Sequence, residues 1–197
     1  MTSLRFEPPI RRYAGYIFDC DGTLADTMPL HFRAWREALA TAGAHFEFTW
    51  ELFMSRAGMS LEKTVLELSV QFDVPLDALM VAQQHRSIYG KLETQVRAVP
   101  GVVEFAREVS AFAPVSVASG SIRQNVLSSL VSIGAKDLFS VVITPEDVTH
   151  GKPDPEMFLL AAQRMGVASK DCLVLEDGAL GIEAARRAGM DYAIVLP

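Results

Sequence analysis

The segment AGYIFDCDGTLADTMP, residues 14–29, limits what this chain can fold into more than any other. It begins with a short apolar run, Tyr16-Ile17-Phe18, which reads as a buried strand, and breaks off at Asp19-Cys20-Asp21-Gly22-Thr23. Two aspartates so close together at the end of a buried strand are costly. Ionised carboxylates repel one another and resist leaving water unless a counter-charge is near. Gly22 lets the backbone turn sharply and come close to a ligand. Taken alone, the motif fits an exposed Asp-rich turn equally well. The choice between the two depends on what the rest of the chain supplies.

Residues 29–96 read as a helical insert. Pro29 to Gly43 carries an apolar stripe of Trp35, Ala38, Leu39 and Ala42 at helical spacing. Thr49 to Arg56 predicts a short helix, ended by the Gly58-Met59-Ser60 break. Ser60 can cap a third helix bearing Leu61, Val65, Leu68 and Phe72, and a long fourth starts near Pro75 with Leu79, Ile88 and Leu92 among its apolar positions. Strand-like alternation is absent between Leu30 and Gln95.

The chain on either side, 1–28 and 97–197, alternates strands with helices. Pro100 can open a helix to about Ala111. Val115–Ala118 reads as a strand ending in Ser119-Gly120-Ser121, with Ser121 capping the next helix and Gly134 stopping it. A strand at Ser140–Thr144 leads into THGKPDPE and a helix with Phe158, Ala161, Ala162 and Met165, which Gly166 ends. Cys172–Leu175 is a strand running into Glu176-Asp177-Gly178, followed by a helix to Gly189 and a last strand at Tyr192–Leu196. This order predicts an α/β fold: a doubly wound parallel sheet, with the helical insert as a second, smaller domain.

Composition narrows the function classes. With 197 residues, 50% hydrophobic and 21% charged, the chain can bury one substantial core and a small satellite. A net charge of −6 with dispersed Lys and Arg speaks against nucleic acid as a partner. The two cysteines, Cys20 and Cys172, fall in strands without metal or disulfide spacing, and Cys20 should turn into the core. The N-terminal stretch has no apolar signal region, and no run is long enough to span a membrane. The expectation is a soluble, cytoplasmic monomer that acts on a small molecule.

Asp19, Asp21, Ser119, Lys152, Glu176 and Asp177 all fall just past the carboxyl end of a strand, the edge at which open α/β sheets bind ligands. Residues as far apart as 19 and 177 can therefore share one pocket. Asp19 and Asp177 offer hard oxygen ligands for Mg2+. A phosphate monoester carries nearly two negative charges, and Mg2+ with Lys152 can offset these and the charge on Asp19, leaving Asp19 able to attack phosphorus. The Ser119 hydroxyl and the backbone N–H groups around Gly120 can hold phosphoryl oxygens, while Asp21 is placed to move a proton to and from the leaving oxygen. Each residue also has a duller reading: Lys152 as a solvated loop lysine, Ser119 as a helix-start serine, and Glu176 and Asp177 as acids near a helix N-terminus.

These motifs together, DCDGT, Ser119, GKPDPE and Glu176-Asp177, resemble the haloacid dehalogenase-type phosphatases and phosphomutases over nearly the whole chain. The resemblance implies that Asp19 is nucleophile and metal ligand, and that Asp21 is the acid/base residue, giving metal its backbone carbonyl. It makes Ser119 the phosphate binder, Lys152 the neutralising cation and Glu176-Asp177 the second acidic pair, both expected to hold metal together with Asp19 and Asp21. Gly22, Thr23, Gly58, Gly120 and Ser121 complete the expected substrate-binding set. The family more often has serine where this chain has Gly178. Within the superfamily, RRYAGYIFDCDGTLADT, HFRAWREAL, FLLAAQRMGV and GIEAARRAGM are similar to the β-phosphoglucomutase-like branch, especially sugar-phosphate phosphatases of the fructose-1-phosphatase type. In that branch a histidine matching His31 faces the substrate. The mutases carry an arginine in a GVSR-like loop, where GMSLEK here has Leu61. Arg56, Lys63 and Arg86 are the cations left to replace it, so hydrolysis is expected ahead of isomerisation, with a sugar phosphomutase as the alternative. A dehalogenase would not need Asp21 or Mg2+, and a phospho-accepting regulatory domain would have no use for a helical insert.

Overall fold

The computed structural model describes residues 7–57 and 59–196. The chain divides into two compact units, one of Thr27–Gln95 and the other of the segments before and after it.

The larger unit begins with β1 (Gly15–Phe18), which lies at the centre of a five-stranded parallel sheet. Later elements of this unit are helix α5 (Val102–Ser110), β2 (Val115–Ala118), α6 (Arg123–Ser132), β3 (Val141–Ile143), α7 (Glu156–Met165), β4 (Cys172–Glu176), α8 (Ala179–Arg187) and β5 (Asp191–Ile194). The strand order is β3-β2-β1-β4-β5, with Ile17 opposite Ser116 on one side and Val174 on the other. Every residue of β1, β2 and β4 is buried. That is why their sequences are largely apolar, broken only by Ser116 and by Glu176 at the end of β4: a parallel sheet is covered on both faces. Tyr16 and Phe18 pack edge-on or tilted against Phe105, while Ile17 joins Ile143, Phe158 and Ala184 in a separate cluster. The alternation of the strand thus feeds two core layers. β2 leaves β1 to one side and β4 lies on the other, so the carboxyl ends of the three strands frame a topological switch point.

The expected elements are all present, with shifts at their ends. The third strand is only Val141–Ile143, and the last starts a residue early, at Asp191. Ser121 does not cap α6. Ile122, a hydrocarbon side chain that cannot cap, holds that position, and the Ser121 hydroxyl donates to Asp21 instead. Where the helical segment leaves and rejoins this unit, Ala25 and Ala98 form an antiparallel bridge, flanked by hydrogen bonds from Asp26 N–H to the Arg97 carbonyl (2.8 Å) and from Val99 N–H to the Leu24 carbonyl (2.9 Å).

The smaller unit consists of α1 (Met28–Thr41), α2 (Trp50–Met54), α3 (Leu61–Phe72) and α4 (Ala78–Leu92). Its helix starts follow the sequence: the Thr49, Ser60 and Asp77 side chains accept from the amides of Leu52, Lys63 and Met80. Trp35, Ala38 and Leu39 of α1 pack with Val65 and Leu68 of α3 and with Ile88 and Leu92 of α4. Leu79 departs from the expected stripe: it is 73% exposed, and Val81 and Ala82 are the first buried positions of the helix. Among the described residues no helix is long and apolar enough to cross a membrane.

Trp35, 4% exposed, and Leu79 therefore make a contrasting pair. Trp35→Ala should cost about 3–5 kcal/mol in urea denaturation, while Leu79→Ala should change stability by no more than about 0.5 kcal/mol. Equal losses would mean that the helical core is wrongly drawn.

Candidate active site

The residues at the switch point are fixed first by backbone. Hydrogen bonds continue one residue past the strands, from Asp19 N–H to the Leu175 carbonyl (2.9 Å) and from Ser119 N–H to the Ile143 carbonyl (3.0 Å). Asp19 and Ser119 are thus rigid extensions of β1 and β2. The Asp19 loop then closes tightly, with the amides of Leu24 and Ala25 both donating to the Cys20 carbonyl. Gly22 takes φ +87°, and a Cβ there would lie 2.1 Å from Asp177 Oδ2. Both the turn and the neighbouring carboxylate therefore require glycine.

Lys152 enters from the loop between β3 and α7. The Glu156 carboxylate holds that loop by accepting from the amides of Thr149 (3.0 Å) and His150 (2.8 Å). The Lys152 ammonium lies 2.6 Å from Asp19 Oδ1 and 2.7 Å from Glu176 Oε2, and 5.0 Å from the centre of the Phe158 ring. Its side chain is only 8% exposed. The reading of Lys152 as a solvated loop residue is excluded. Burial alone would lower its pKa, but Asp19 and Glu176 outweigh that and hold it above the ordinary lysine value.

Three carboxylates, Asp19, Glu176 and Asp177, each bring an oxygen within 4.8 Å of the others. Burial, with repulsion from Glu176 next in size, raises Asp19 well above the usual carboxylate range. The same two causes push Asp177 up to about 7, although Thr23 donates to its Oδ1 at 3.2 Å. One lysine cannot balance three acids. The donor set is all oxygen, close-spaced and short of positive charge, which suits a hard divalent cation. Asp19 and Asp177 are the oxygens free to share one, since Glu176 already accepts from Lys152 and, through Oε1, from Gly178 N–H at 3.1 Å.

The Asp21 carboxylate takes no part in that cluster. Its Oδ2 accepts from the Ser121 hydroxyl at 2.6 Å and faces the Ser119 hydroxyl at 3.4 Å, while Ser121 N–H donates to Ser119 Oγ at 3.0 Å. Ser121 thus serves the site rather than the helix. A Cβ on Gly120 would meet nothing within 4 Å, so its backbone is open to a ligand.

Asp19, Asp21, Gly22, Thr23, Ser119, Gly120, Ser121, Lys152, Glu176 and Asp177 all belong to the sheet unit. His31 belongs to the helical unit, where its ring stacks on Tyr89 at 3.9 Å and on His85 at 5.4 Å. His85 is buried, and desolvation lowers its pKa to about 3, so it is neutral. Gly58 lies outside the described residues. Two participants escaped the sequence reading. Phe158 reads simply as a core position of α7, and Gly181 as one small residue among several in GIEAARRAGM. A glycine inside a helix was the one available signal for the second.

The family model for haloacid dehalogenase-like hydrolases matches residues 16–195. The chain belongs to that family. It is 36% identical over 181 residues to the fructose-1-phosphate phosphatase YqaB of Escherichia coli, covering 91% of this chain and 95% of the relative. It is 29% identical over 186 residues to a phosphorylated carbohydrates phosphatase of Thermotoga maritima, covering 91% and 84%. Among solved structures, a β-phosphoglucomutase from Clostridium difficile superposes with a TM-score of 0.80 at 23% identity, covering 91% and 83%; this likeness concerns the fold.

The charge imbalance yields a pH prediction. Asp177 and Asp19 hold protons in the folded, metal-free protein that they would release when unfolded, so stability falls as pH rises from about 4 towards 7. A divalent cation bound there would replace those protons. The rise in Tm on adding Mg2+ or Mn2+ should therefore be small at pH 5 and larger at pH 8, and Asp177→Asn should flatten the trend. A metal effect independent of pH would count against this cluster as the binding site.

Proposed function

We propose that the protein is a Mg2+-dependent phosphatase that hydrolyses a small phosphate monoester, a sugar phosphate in particular, through an aspartyl-phosphate on Asp19. As an enzyme it is a phosphoric monoester hydrolase of the haloacid dehalogenase-like family. The observation that carries the reading is the Asp19 carboxylate, fixed at a strand end, paired with buried Lys152 and within reach of an oxygen of Asp177.

When bound by Asp19, Asp177 and the Asp21 carbonyl, Mg2+ supplies positive charge that lets Asp19 stay ionised beside a dianionic ester. Lys152 adds a second cation. Ser119 and the amides about Gly120 hold the phosphoryl oxygens, with Gly22 and Thr23 closing the other side of the loop. An Asp19 oxygen attacks phosphorus and the ester P–O bond breaks, while protonated Asp21 gives its proton to the departing oxygen. A water molecule then gives a proton to Asp21 and attacks the aspartyl-phosphate, releasing inorganic phosphate and restoring Asp19. Ser121, donating to Asp21 at 2.6 Å, keeps that carboxylate turned towards the phosphate-binding serines.

Residues 29–96 serve in this reading as a cap that selects the ester, with His31 as a substrate contact. Hydrolysis is favoured over isomerisation because two of the three cations that could replace the mutase arginine are already used. Arg56 is bound to Gln71 and to the Leu52 carbonyl, and Arg86 to Glu62 at 2.5 Å. Glucose 1,6-bisphosphate should therefore sustain no conversion of β-glucose 1-phosphate to glucose 6-phosphate. Efficient conversion would make the protein a mutase.

EDTA should abolish phosphate release and Mg2+ restore it. Asp19→Asn should lose about a thousandfold or more in kcat while remaining folded. Asp21→Asn should lose more on sugar phosphates than on p-nitrophenyl phosphate, whose leaving group needs no proton. Full activity of Asp19→Asn would remove the nucleophile from the reading.

A further inference from the structure

Glycine is one of the poorest residues for a helix interior, because it has the most backbone freedom to lose. Helix α8 nevertheless carries Gly181 in its first turn, fully buried. Its backbone is not in the left-handed region, so conformation does not call for glycine; space does. A Cβ at Gly181 would stand 2.1 Å from both Cδ and Oε2 of Glu176 and 2.6 Å from its Cγ. The Glu176 side chain lies flat on the bare helix backbone. In that position Oε1 accepts from Gly178 N–H at 3.1 Å and Oε2 from Lys152 at 2.7 Å, while Lys152 reaches Asp19 at 2.6 Å.

We propose that Gly181 is a positioning residue: by lacking a side chain it lets Glu176 lie along α8 and hold Lys152 on Asp19. Its consequence for turnover rests on the phosphatase reading; its consequence for packing does not. Glu176, hydrogen-bonded to Lys152 and Gly178 within the sheet unit, acts here as the anchor of the lysine. Gly178 contributes in the same way, since a Cβ there would approach Glu176 Oε1 to 3.3 Å. The serine usual at that position would have to crowd the same oxygen.

A double-mutant comparison tests this. Alanine favours helix, so Gly181→Ala would raise Tm if the position were merely helical. The expectation is the reverse: Gly181→Ala lowers the Tm of the metal-free protein, whereas in a Glu176→Ala background the same change leaves Tm unaltered or raises it. With p-nitrophenyl phosphate, Gly181→Ala should lower kcat by about tenfold or more with KM within about threefold, and should add no further loss to Glu176→Ala. A Tm that rises in both backgrounds, or kcat losses that simply multiply, overturns the proposal. If Gly181→Ala alone fails to fold, a folded double variant supports the proposal and an unfolded one overturns it. If the wild-type protein releases phosphate from no ester, the phosphatase reading fails while the Tm comparison still decides the role of Gly181.

Discussion

A lysine ammonium buried between two carboxylates is the interaction on which the site depends. Removing charges from water costs several kcal/mol each even in a relaxed protein, and close pairing only partly returns it. Asp19, Lys152 and Glu176 are each less than a tenth exposed, and Asp177 adds a third acid without a second base. Such an arrangement persists only if the surrounding fold leaves it no alternative. Strand ladders hold Asp19, a carboxylate-bound loop holds Lys152, and glycines without side chains make room for Asp177 and Glu176. The excess negative charge that remains is one that a divalent cation would offset.

Much of this was legible in the sequence, for a definite reason. In a parallel sheet the chain must return to the same edge after each strand. Acids and a lysine at successive strand ends therefore converge whatever their separation in the chain. Element types followed from periodicity, and element ends from glycines such as Gly166, whose φ of +71° terminates α7. Contacts perpendicular to that logic were not legible. Ser121 has the residue type of a helix cap, but a nearby carboxylate competes for its hydroxyl. Leu79 fits a stripe of helical spacing, yet lies in the first turn of α4, where only part of the helix is covered. Phe158 and Gly181 look like packing residues because they are; their importance lies in which polar group they pack against.

The helical unit follows a different principle from the sheet unit. Its interior is rich in aromatic rings, with Phe48 against both Trp35 and Phe53 and neutral His85 packed against Trp35 at 4.8 Å. Its arginines 56 and 86 are spent on bonds within the unit. The buried acids Asp19 and Glu176 lie in the sheet unit, while the interior of the other offers shape and ring surfaces. An enzyme divided in this way can keep its chemistry constant and vary its choice of substrate.

The bridge between Ala25 and Ala98 gives that division a topological basis. Because the outgoing and returning strands are stitched together at the boundary, the sheet unit experiences everything between them as a closed loop. The entropy of closing a loop grows only slowly with its length. A module of another size or structure could thus be grafted at this stem without disturbing the bonds that hold Asp19. The same stem marks where a chimera should be cut: exchange at residues 26 and 97 swaps the helical module between relatives and leaves Asp19 in its original register.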